Sequence, residues 1–295
     1  MFPLRTILAA VDFSEPSRLA LTCAARLAKQ AHAQLHVLHV LDPLLAAAAQ
    51  SAGIDLTRET RAELGAFALR AVPAGDWAPG HHVVTGAAVD AICNIAGRES
   101  ADLVVVGARG MSGFRLPLFG STTEGVLRRA ETSVLVVPES WMPPRPDLND
   151  LTGTGPIVVG LELTPSAIEA ARAAGELARL LDTRVEILHV VPRTPVLSRW
   201  SAHAEAALQQ RIQDAQNEIT SALHYFEGSA SAEVRVETGS VAECLAQAVK
   251  AEGDRHPLLV LGRRTAGERG GAPGSTAYRV LGLANAPVLM CLPPH

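Results

Sequence analysis

The chain has 295 residues, a length that favours two domains with separate hydrophobic cores over a single domain. Hydrophobic residues make up 48% of the sequence and aromatic residues only 4%, a composition typical of helices packed on parallel strands. The formal net charge of −4 and the lack of a basic tract argue against nucleic acid as a partner.

The cysteines and the apolar segments of the sequence indicate which classes of site and which cellular location to expect. Four cysteines lie far apart without a CxxC pair, which excludes a zinc knuckle and a thioredoxin-like motif. We interpret them as small buried hydrophobic residues. The N-terminal stretch reaches Asp12 before an apolar core of signal-peptide length, and no stretch approaches 18 uncharged apolar residues. We therefore expect a cytoplasmic protein with no membrane partner.

Apolar runs of strand length alternate with helical stretches through the first half, which is the pattern of βαβ units in a parallel sheet. Five strands are predicted, near Thr6–Val11, Gln34–Val40, His81–Thr85, Leu103–Gly107 and Ser133–Val137. The sequence therefore predicts a doubly wound α/β fold.

The predicted helices of the first half carry recognisable start signals. Ser14 is a plausible N-cap for the first helix, with Pro16 in the first turn, and Thr164-Pro165 repeats this pattern in the second half. The alanine-rich stretch Leu44–Gln50 fits a mobile lid or the start of a frayed helix equally well. We interpret Arg128-Arg129 as a solvated face or the C-terminal cap of a helix.

The second half repeats the sequence pattern of the first in the same order. Leu38-His39-Val40, for example, recurs as Leu188-His189-Val190. We interpret His39 and His189 as hydrogen-bonded core or boundary residues. The Pro- and Gly-rich stretch 141–155 is predicted to be a linker between a first domain at 1–140 and a second domain at 156–295.

The strand order 3-2-1-4-5 is expected in each five-stranded sheet, which makes the fifth strand an edge. The edges Val134–Val137 and Val288–Cys291 are both apolar, so we expect the two halves to pair them as an intramolecular pseudo-dimer. A monomeric chain and a homodimer of chains are both compatible with the sequence.

A ligand site is predicted at the carboxyl ends of strands 1 and 4, where the strand order reverses. Strand 1 ends at Asp12, and strand 4 runs into a loop with glycines at 107, 110 and 120, followed by Ser121 and Thr122. Glycines let backbone N–H groups approach an anion, and the first amides of the next helix can receive phosphate oxygens. These features predict a nucleotide site.

Individual roles follow from residue chemistry at this site. Asp12 taken alone fits a helix start, but beside the glycine loop it favours hydrogen bonding to a ribose hydroxyl. Val40 would supply an apolar wall for adenine. The loop has neither a Walker lysine nor a GxGxxG after strand 1, so P-loop and Rossmann sites are excluded. His81 and His82 are adjacent and point to opposite faces of a strand, so no metal site is assigned.

The motif Gly107-x2-Gly110-x9-Gly120-Ser121, together with Val11-Asp12-Phe13-Ser14, resembles the ATP-binding signature of the universal stress protein family. The resemblance covers both halves apart from the linker and implies ATP, with Mg²⁺, as the ligand. In ATP-binding members of the family, the residues that match Asp12 and Val40 contact ribose and adenine. The phosphates are held in those members by the residues that match Gly107, Gly110, Gly120 and Ser121.

Two further residues are predicted to belong to the site only because they lie next to the motif. Arg109 and Thr122 flank the matched glycines, and we expect both to reach phosphate oxygens.

The second half departs from the family pattern. Glu162 replaces the strand-end aspartate, Thr265 replaces the second glycine, and eight residues instead of nine precede Gly274. We therefore expect a degenerate nucleotide site, although the helix start at Gly274–Thr276 keeps amides that suit an anion.

The leading functional hypothesis is a stress-response module in which ATP occupancy of the first domain changes the loop 107–120 and a surface seen by protein partners. No catalytic residue is assigned, and any ATP hydrolysis should be slow. Two alternatives stay open, namely a ligand-free scaffold and a slow ATP-using enzyme that hydrolyses ATP or adenylates a substrate.

Overall fold

The computed structural model describes residues 4–71, 78–109, 120–142, 155–162, 164–193, 201–222, 232–263 and 275–292. These residues form two compact units, one within residues 3–151 and the other within residues 152–295. The domain limits 1–140 and 156–295 stay a prediction, and most of the linker predicted at 141–155 lies outside the described residues.

The first unit is a five-stranded parallel sheet with helices between the strands. Its elements in chain order are β1 (Thr6–Val11), α1 (Glu15–Ala31), β2 (Gln34–Leu41), α2 (Pro43–Ser51), α3 (Leu56–Ala71), β3 (Gly80–Thr85), α4 (Ala88–Arg98), β4 (Leu103–Gly107), α5 (Ser121–Arg129) and β5 (Ser133–Val137). The strand order is β3-β2-β1-β4-β5, and the pairs are parallel. The predicted fold and strand order of this unit are confirmed.

The start of α1 shows how the sequence sets an element. The Ser14 side chain accepts a hydrogen bond from the Ser17 N–H at 3.3 Å, and proline occupies the first turn, as predicted. Leu19, Cys23 and Leu27 recur at helical spacing, and all three are buried. This apolar face packs on β1 and β4 and fixes the distance between the helix start and the strand ends.

The structure shows what becomes of the alanine-rich stretch and of the arginine pair in the first unit. The stretch Leu44–Gln50 is helical within α2, which Asp42 caps by accepting from the N–H groups of Leu44 and Leu45 at 2.7 and 3.2 Å. Arg128 and Arg129 occupy the last turn of α5, where they form ion pairs with Glu124 and Asp90.

The second unit has the same architecture. Its elements are β6 (Ile157–Gly160), α6 (Pro165–Leu180), β7 (Val185–Val191), α7 (Ser201–Ala222), β8 (Ala232–Thr238), α8 (Val241–Ala251), β9 (Leu258–Gly262), α9 (Ser275–Leu283) and β10 (Val288–Cys291). The order β8-β7-β6-β9-β10 repeats that of the first unit, with parallel pairing. Thr164 caps α6, as predicted. The pseudo-dimer arrangement stays a prediction.

All four cysteines are thiols, and Cys23, Cys244 and Cys291 are buried as predicted, whereas Cys93 is half-buried. Burial raises the pKa of the Cys23 and Cys291 thiols to about 12, so both stay protonated at neutral pH. Among the described helices, none combines the length and the apolar character needed to cross a membrane.

Candidate functional site

A cavity of about 270 Å³ opens at the carboxyl ends of β1, β2 and β4. We call it the strand-end cavity. Its volume is near the lower end of the about 300–1,000 Å³ usual for small-molecule sites. The described residues that line it include seven of the eight predicted site residues, namely Asp12, Val40, Gly107, Arg109, Gly120, Ser121 and Thr122. The eighth, Gly110, lies outside the described residues.

The parallel register explains why these residues meet. β1 pairs with β4 so that Leu8 lies opposite Val104 and Ala9 opposite Val105. Both strands therefore end at the same level, which puts Asp12 and Gly107 on one rim of the sheet. Because β2 lies on the other side of β1, Val40 reaches the same rim.

Asp12 is held in place by the start of α1. Its Oδ1 accepts hydrogen bonds from the Ser14 N–H at 3.1 Å and the Ser14 hydroxyl at 2.5 Å. Its own backbone N–H donates to the Ser17 hydroxyl at 3.3 Å. A carboxylate has about four lone-pair positions, so contacts through Oδ1 are compatible with a ligand role. The helix cap itself is Ser14, and Asp12 supports that cap.

Two further hydroxyl groups, which were not predicted from the sequence, shape the cavity. Ser17 and Thr123 both line it, and each is only 4% exposed. The Ser17 hydroxyl donates to the Ser14 carbonyl at 2.9 Å, and the Thr123 hydroxyl donates to the Gly107 carbonyl at 2.7 Å. They tie the starts of α1 and α5 to the strand ends. The available signal was a hydroxyl residue in the first turn of each predicted helix.

Gly107 lies where β4 approaches the start of α1 most closely. A Cβ at this position would lie 3.2 Å from the backbone carbonyl carbon and oxygen of Pro16 and 3.3 Å from the carbonyl oxygen of Arg109. Backbone atoms cannot rotate away as a flexible side chain can. Glycine therefore allows the end of β4 and the start of α1 to approach each other closely at the strand-end cavity.

Two of the helices that begin at the strand-end cavity, α4 and α5, have N-cap residues that make no capping hydrogen bond through a side chain. Gly120 precedes α5 with extended backbone, and Ala87 precedes α4 in the same way. The first amides of a helix carry a partial positive charge of about half an elementary unit. With Ser121, Thr122 and Arg109 beside them, these amides form a rim that favours an anion.

Apolar side chains also line the cavity, among them Leu38, Val40, Ile92 and Val106. His39 also lines it, and its Nδ1 lies 2.9 Å from the Val11 carbonyl oxygen. Because a carbonyl only accepts, Nδ1 carries the proton. His189 repeats this bond to the Leu161 carbonyl at 2.7 Å. The interpretation of both histidines as hydrogen-bonded boundary residues is confirmed.

Phe13 packs beside the site through its contact with His39, which lines the cavity. The ring centroid lies 4.4 Å from that of His39 and 5.4 Å from that of Phe67. Phe13 has a φ of 63°, in the left-handed region that a non-glycine residue rarely adopts. Such strain persists where the surroundings over-determine the backbone, and it often marks a functional turn.

The corresponding strand ends of the second unit differ. Glu162 follows β6 closely, and Arg263 follows β9 where the first unit has Ala108. Arg263 is only 3% exposed, and its backbone N–H donates to the Cys291 carbonyl at 2.7 Å. A long cationic side chain is therefore buried where the first unit has a methyl group. Residues 264–274, with Thr265 and Gly274, lie outside the described residues, so the degenerate site stays a prediction.

A family profile and a sequence relative both identify the same protein family. The profile of the universal stress protein family matches residues 3–138 and 153–291. A universal stress protein of Methanocaldococcus jannaschii is 31% identical over 139 residues, covering 45% of this chain and 81% of that protein.

Comparison with solved structures shows that the fold is also shared. A universal stress protein from Archaeoglobus fulgidus is 18% identical and covers 99% of this chain and 97% of its own, with a TM-score of 0.61. At this identity the likeness supports the fold alone. A universal stress protein solved in complex with cAMP is 28% identical and covers 46% of this chain and 98% of its own, with a TM-score of 0.36.

Proposed function

The chain belongs to the universal stress protein family, and from this premise we propose that its first unit binds ATP, together with Mg²⁺, in the strand-end cavity. The observation that carries the proposal is the convergence of seven predicted site residues on one cavity that has both apolar lining residues and an anion-favouring rim. A ligand that combines an aromatic base with phosphates fits this lining.

Each part of the nucleotide has a matching group in the first unit. Val40 would contact adenine, and Asp12 would accept a hydrogen bond from a ribose hydroxyl. The phosphates would lie against the backbone at Gly107, Gly110 and Gly120 and the hydroxyl groups of Ser121 and Thr122, with Arg109 nearby. Mg²⁺ usually binds through substrate phosphates with few protein ligands, so it would enter as the partner of the phosphates.

We propose a nucleotide-dependent module and no fast catalyst. The titratable groups that line the described part of the cavity include Asp12 and His39. Asp12 accepts from Ser14 through Oδ1, and the proton on His39 Nδ1 is committed to the Val11 carbonyl. These bonds orient the two side chains, and in the proposed binding mode Asp12 contacts the ribose, away from the phosphates that a general base for hydrolysis would have to serve. Occupancy would instead change the loop 107–120 and the surface that partners meet, in the cytoplasm.

Isothermal titration of Mg-ATP into the full chain tests the proposal, with AMP and cAMP as further titrants. We expect one ATP site per chain. Asp12→Asn should weaken it roughly 10- to 100-fold, because a hydrogen bond to a charged group contributes about 1.5–3 kcal/mol. Glu162→Gln, at the matching strand end of the second unit, should leave the affinity unchanged.

The other outcomes identify the alternatives. Lack of binding by a folded wild type would favour the ligand-free scaffold, and two equivalent sites would contradict the degenerate second unit. Slow release of phosphate or AMP that Asp12→Asn abolishes would identify the slow ATP-using enzyme, and a rate of about 1 s⁻¹ or faster, where typical turnover numbers begin, would contradict the proposal of a module that is no fast catalyst.

A further inference from the structure

Three side chains of the first unit with metal-ligating atoms meet away from the strand-end cavity. His36 lies on β2, His82 on β3, and Glu99 follows the last residue of α4. His36 Nδ1 lies 2.8 Å from His82 Nε2 and 4.0 Å from a Glu99 carboxylate oxygen. One ligand atom from each residue can be chosen so that all three lie within 4.8 Å of one another. We call these three residues the His-His-Glu cluster.

The register of the sheet makes this cluster. Gly80 of β3 pairs with His36, and His82 pairs with Leu38, so the two histidines are two residues apart along paired strands and lie on the same face. Glu99 is at the C-terminal end of α4, whereas Ala88 at its start lines the strand-end cavity. A helix of this length spans about 16 Å, so the cluster is separate from the cavity.

We propose that His36, His82 and Glu99 bind one divalent transition-metal cation, with Zn²⁺ as the best fit. Zinc takes imidazole nitrogen and carboxylate oxygen at about 2.0–2.2 Å, which puts neighbouring ligand atoms of a tetrahedral site roughly 3.3 Å apart. The two separations measured here, 2.8 and 4.0 Å, lie on either side of that value. Imidazole ligands favour zinc over magnesium or calcium.

The burial of the cluster suits an open site. The side chains of His36 and Glu99 are 16% and 24% exposed, so the site is shielded and still accessible from solvent. Three protein ligands leave a fourth tetrahedral position for water. Gly80 also provides room, because a Cβ there would lie 2.9 Å from His36 Nδ1.

Arg98 determines which ring nitrogens of His36 and His82 carry a proton when no metal is bound. Its Nη2 lies 3.1 Å from His82 Nδ1, and its Nε lies 2.9 Å from a Glu99 oxygen. A guanidinium only donates, so His82 Nδ1 accepts from it. Neutral His82 then carries its proton on Nε2 and donates to His36 Nδ1. The His36 proton therefore lies on Nε2, which leaves Nδ1 ready for a metal.

Metal binding requires one proton relocation and one side-chain movement. The cation takes the lone pair of His82 Nε2, and the proton of that nitrogen moves to Nδ1 by exchange with water, so that no net proton is released. Nδ1 and Arg98 would then both be donors, so Arg98 must leave. Its side chain is 58% exposed and can turn into solvent. Arg98 thus opposes the metal by charge and by its bond to His82.

The second unit offers an internal comparison at the same register positions. Glu186 pairs with Val158 as His36 pairs with Leu8, and Arg235 pairs with Leu188 as His82 pairs with Leu38. Arg235 and Glu186 form an ion pair at 2.5 Å, with Glu186 4% exposed. In the second unit the two side chains at these positions carry opposite charges and pair with each other. The first unit instead has two imidazoles and a carboxylate there. We expect metal binding only in the first unit.

The test is titration of ZnCl₂ into the full chain after chelator treatment and buffer exchange, without nucleotide, and of CoCl₂ as a spectroscopic probe. We expect one Zn²⁺ per chain and a Co²⁺ spectrum of nitrogen and oxygen ligands without thiolate charge-transfer bands. His82→Gln and Glu99→Gln should each weaken Zn²⁺ binding at least tenfold, since losing a ligand removes a coordinate bond.

Two further variants separate this site from adventitious binding. His81→Gln changes the neighbouring residue, whose side chain lies on the opposite face near α3, and should leave the Zn²⁺ affinity unchanged. Arg98→Gln changes an exposed residue and should tighten binding at least threefold. Wild type without a stoichiometric site, His82→Gln with unchanged affinity, thiolate bands, or weaker binding by Arg98→Gln would each overturn the proposal. ATP binding is measured separately, so either proposal can fail alone.

Discussion

At the scale of single residues, Ser14 joins the start of α1 to the predicted ligand-binding carboxylate. Its hydroxyl oxygen accepts from the Ser17 N–H and its hydroxyl proton is donated to Asp12. Thr164 caps α6 in the second unit through the N–H of Ala167 at 3.4 Å. The two caps therefore share a structural role, and only Ser14 also orients a predicted site residue.

The paired variants Ser14→Ala and Thr164→Ala separate these roles. Each should lower the free energy of unfolding by about 1 kcal/mol, the usual cost of losing a hydroxyl N-cap. Ser14→Ala should also weaken ATP binding several-fold, because Asp12 loses the hydroxyl that holds its Oδ1. Urea unfolding and isothermal titration measure the two effects. Equal ATP affinity in both variants would show that Ser14 serves the helix alone.

At the scale of elements, α4 and α5 pack closely enough to bring both of their starts to the strand-end cavity. A Cβ on Gly125 of α5 would lie 2.5 Å from a methyl carbon of Val89 on α4. Valine is stiff about χ1 and cannot move its methyl groups aside cheaply. Glycine at position 125 therefore sets the separation of the two helices.

Gly125→Ala should lower the free energy of unfolding by about 1–3 kcal/mol, the usual cost of overpacking. Adding Val89→Ala should restore most of that loss by making room for the new methyl group. Gly97→Ala is the matched control, because a Cβ on this helical glycine meets nothing within 4 Å. It should stabilise the chain by up to about 1 kcal/mol. Thermal and urea unfolding of the three variants measure this, and equal losses in Gly125→Ala and Gly97→Ala would contradict the packing argument.

Local patterns were enough to predict the elements and the rim of the cavity. β1, β4 and β5 have the predicted bounds, and β2 and β3 differ from them by one residue at one end. Apolar runs, N-caps and strand-end glycines are local signals, and the parallel topology brings strand ends together. The roles of Ser17 and Thr123 depend on which carbonyl each hydroxyl reaches in the folded unit, so sequence spacing did not reveal them.

The His-His-Glu cluster could not be predicted from the sequence for a related reason. In the sequence, the histidine next to His82 is His81, which lies on the other face of β3 and cannot share a metal with it. His36 is 46 positions from His82 along the chain, and the register of β2 and β3 brings the two together. A strand slip of one residue would separate them, so the pair is a product of tertiary pairing.

At the scale of the whole molecule, one fold is used twice with different strand-end chemistry. Both units keep the strand order and the histidine that donates to a strand-end carbonyl. They differ at Asp12 against Glu162 and at Ala108 against buried Arg263. These differences lead us to propose that the first unit alone binds ATP and that the second unit serves another role in the module.

Photolabelling with 8-azido-ATP and Mg²⁺, followed by tryptic digestion and mass spectrometry, tests this central claim most directly. We predict a label in the peptide 30–58, which contains His39 and Val40, and its loss when excess ATP competes. A competable label in the peptide 185–193, which contains His189 and Val190, or a label that ATP does not displace, would contradict the claim that the first unit alone binds ATP.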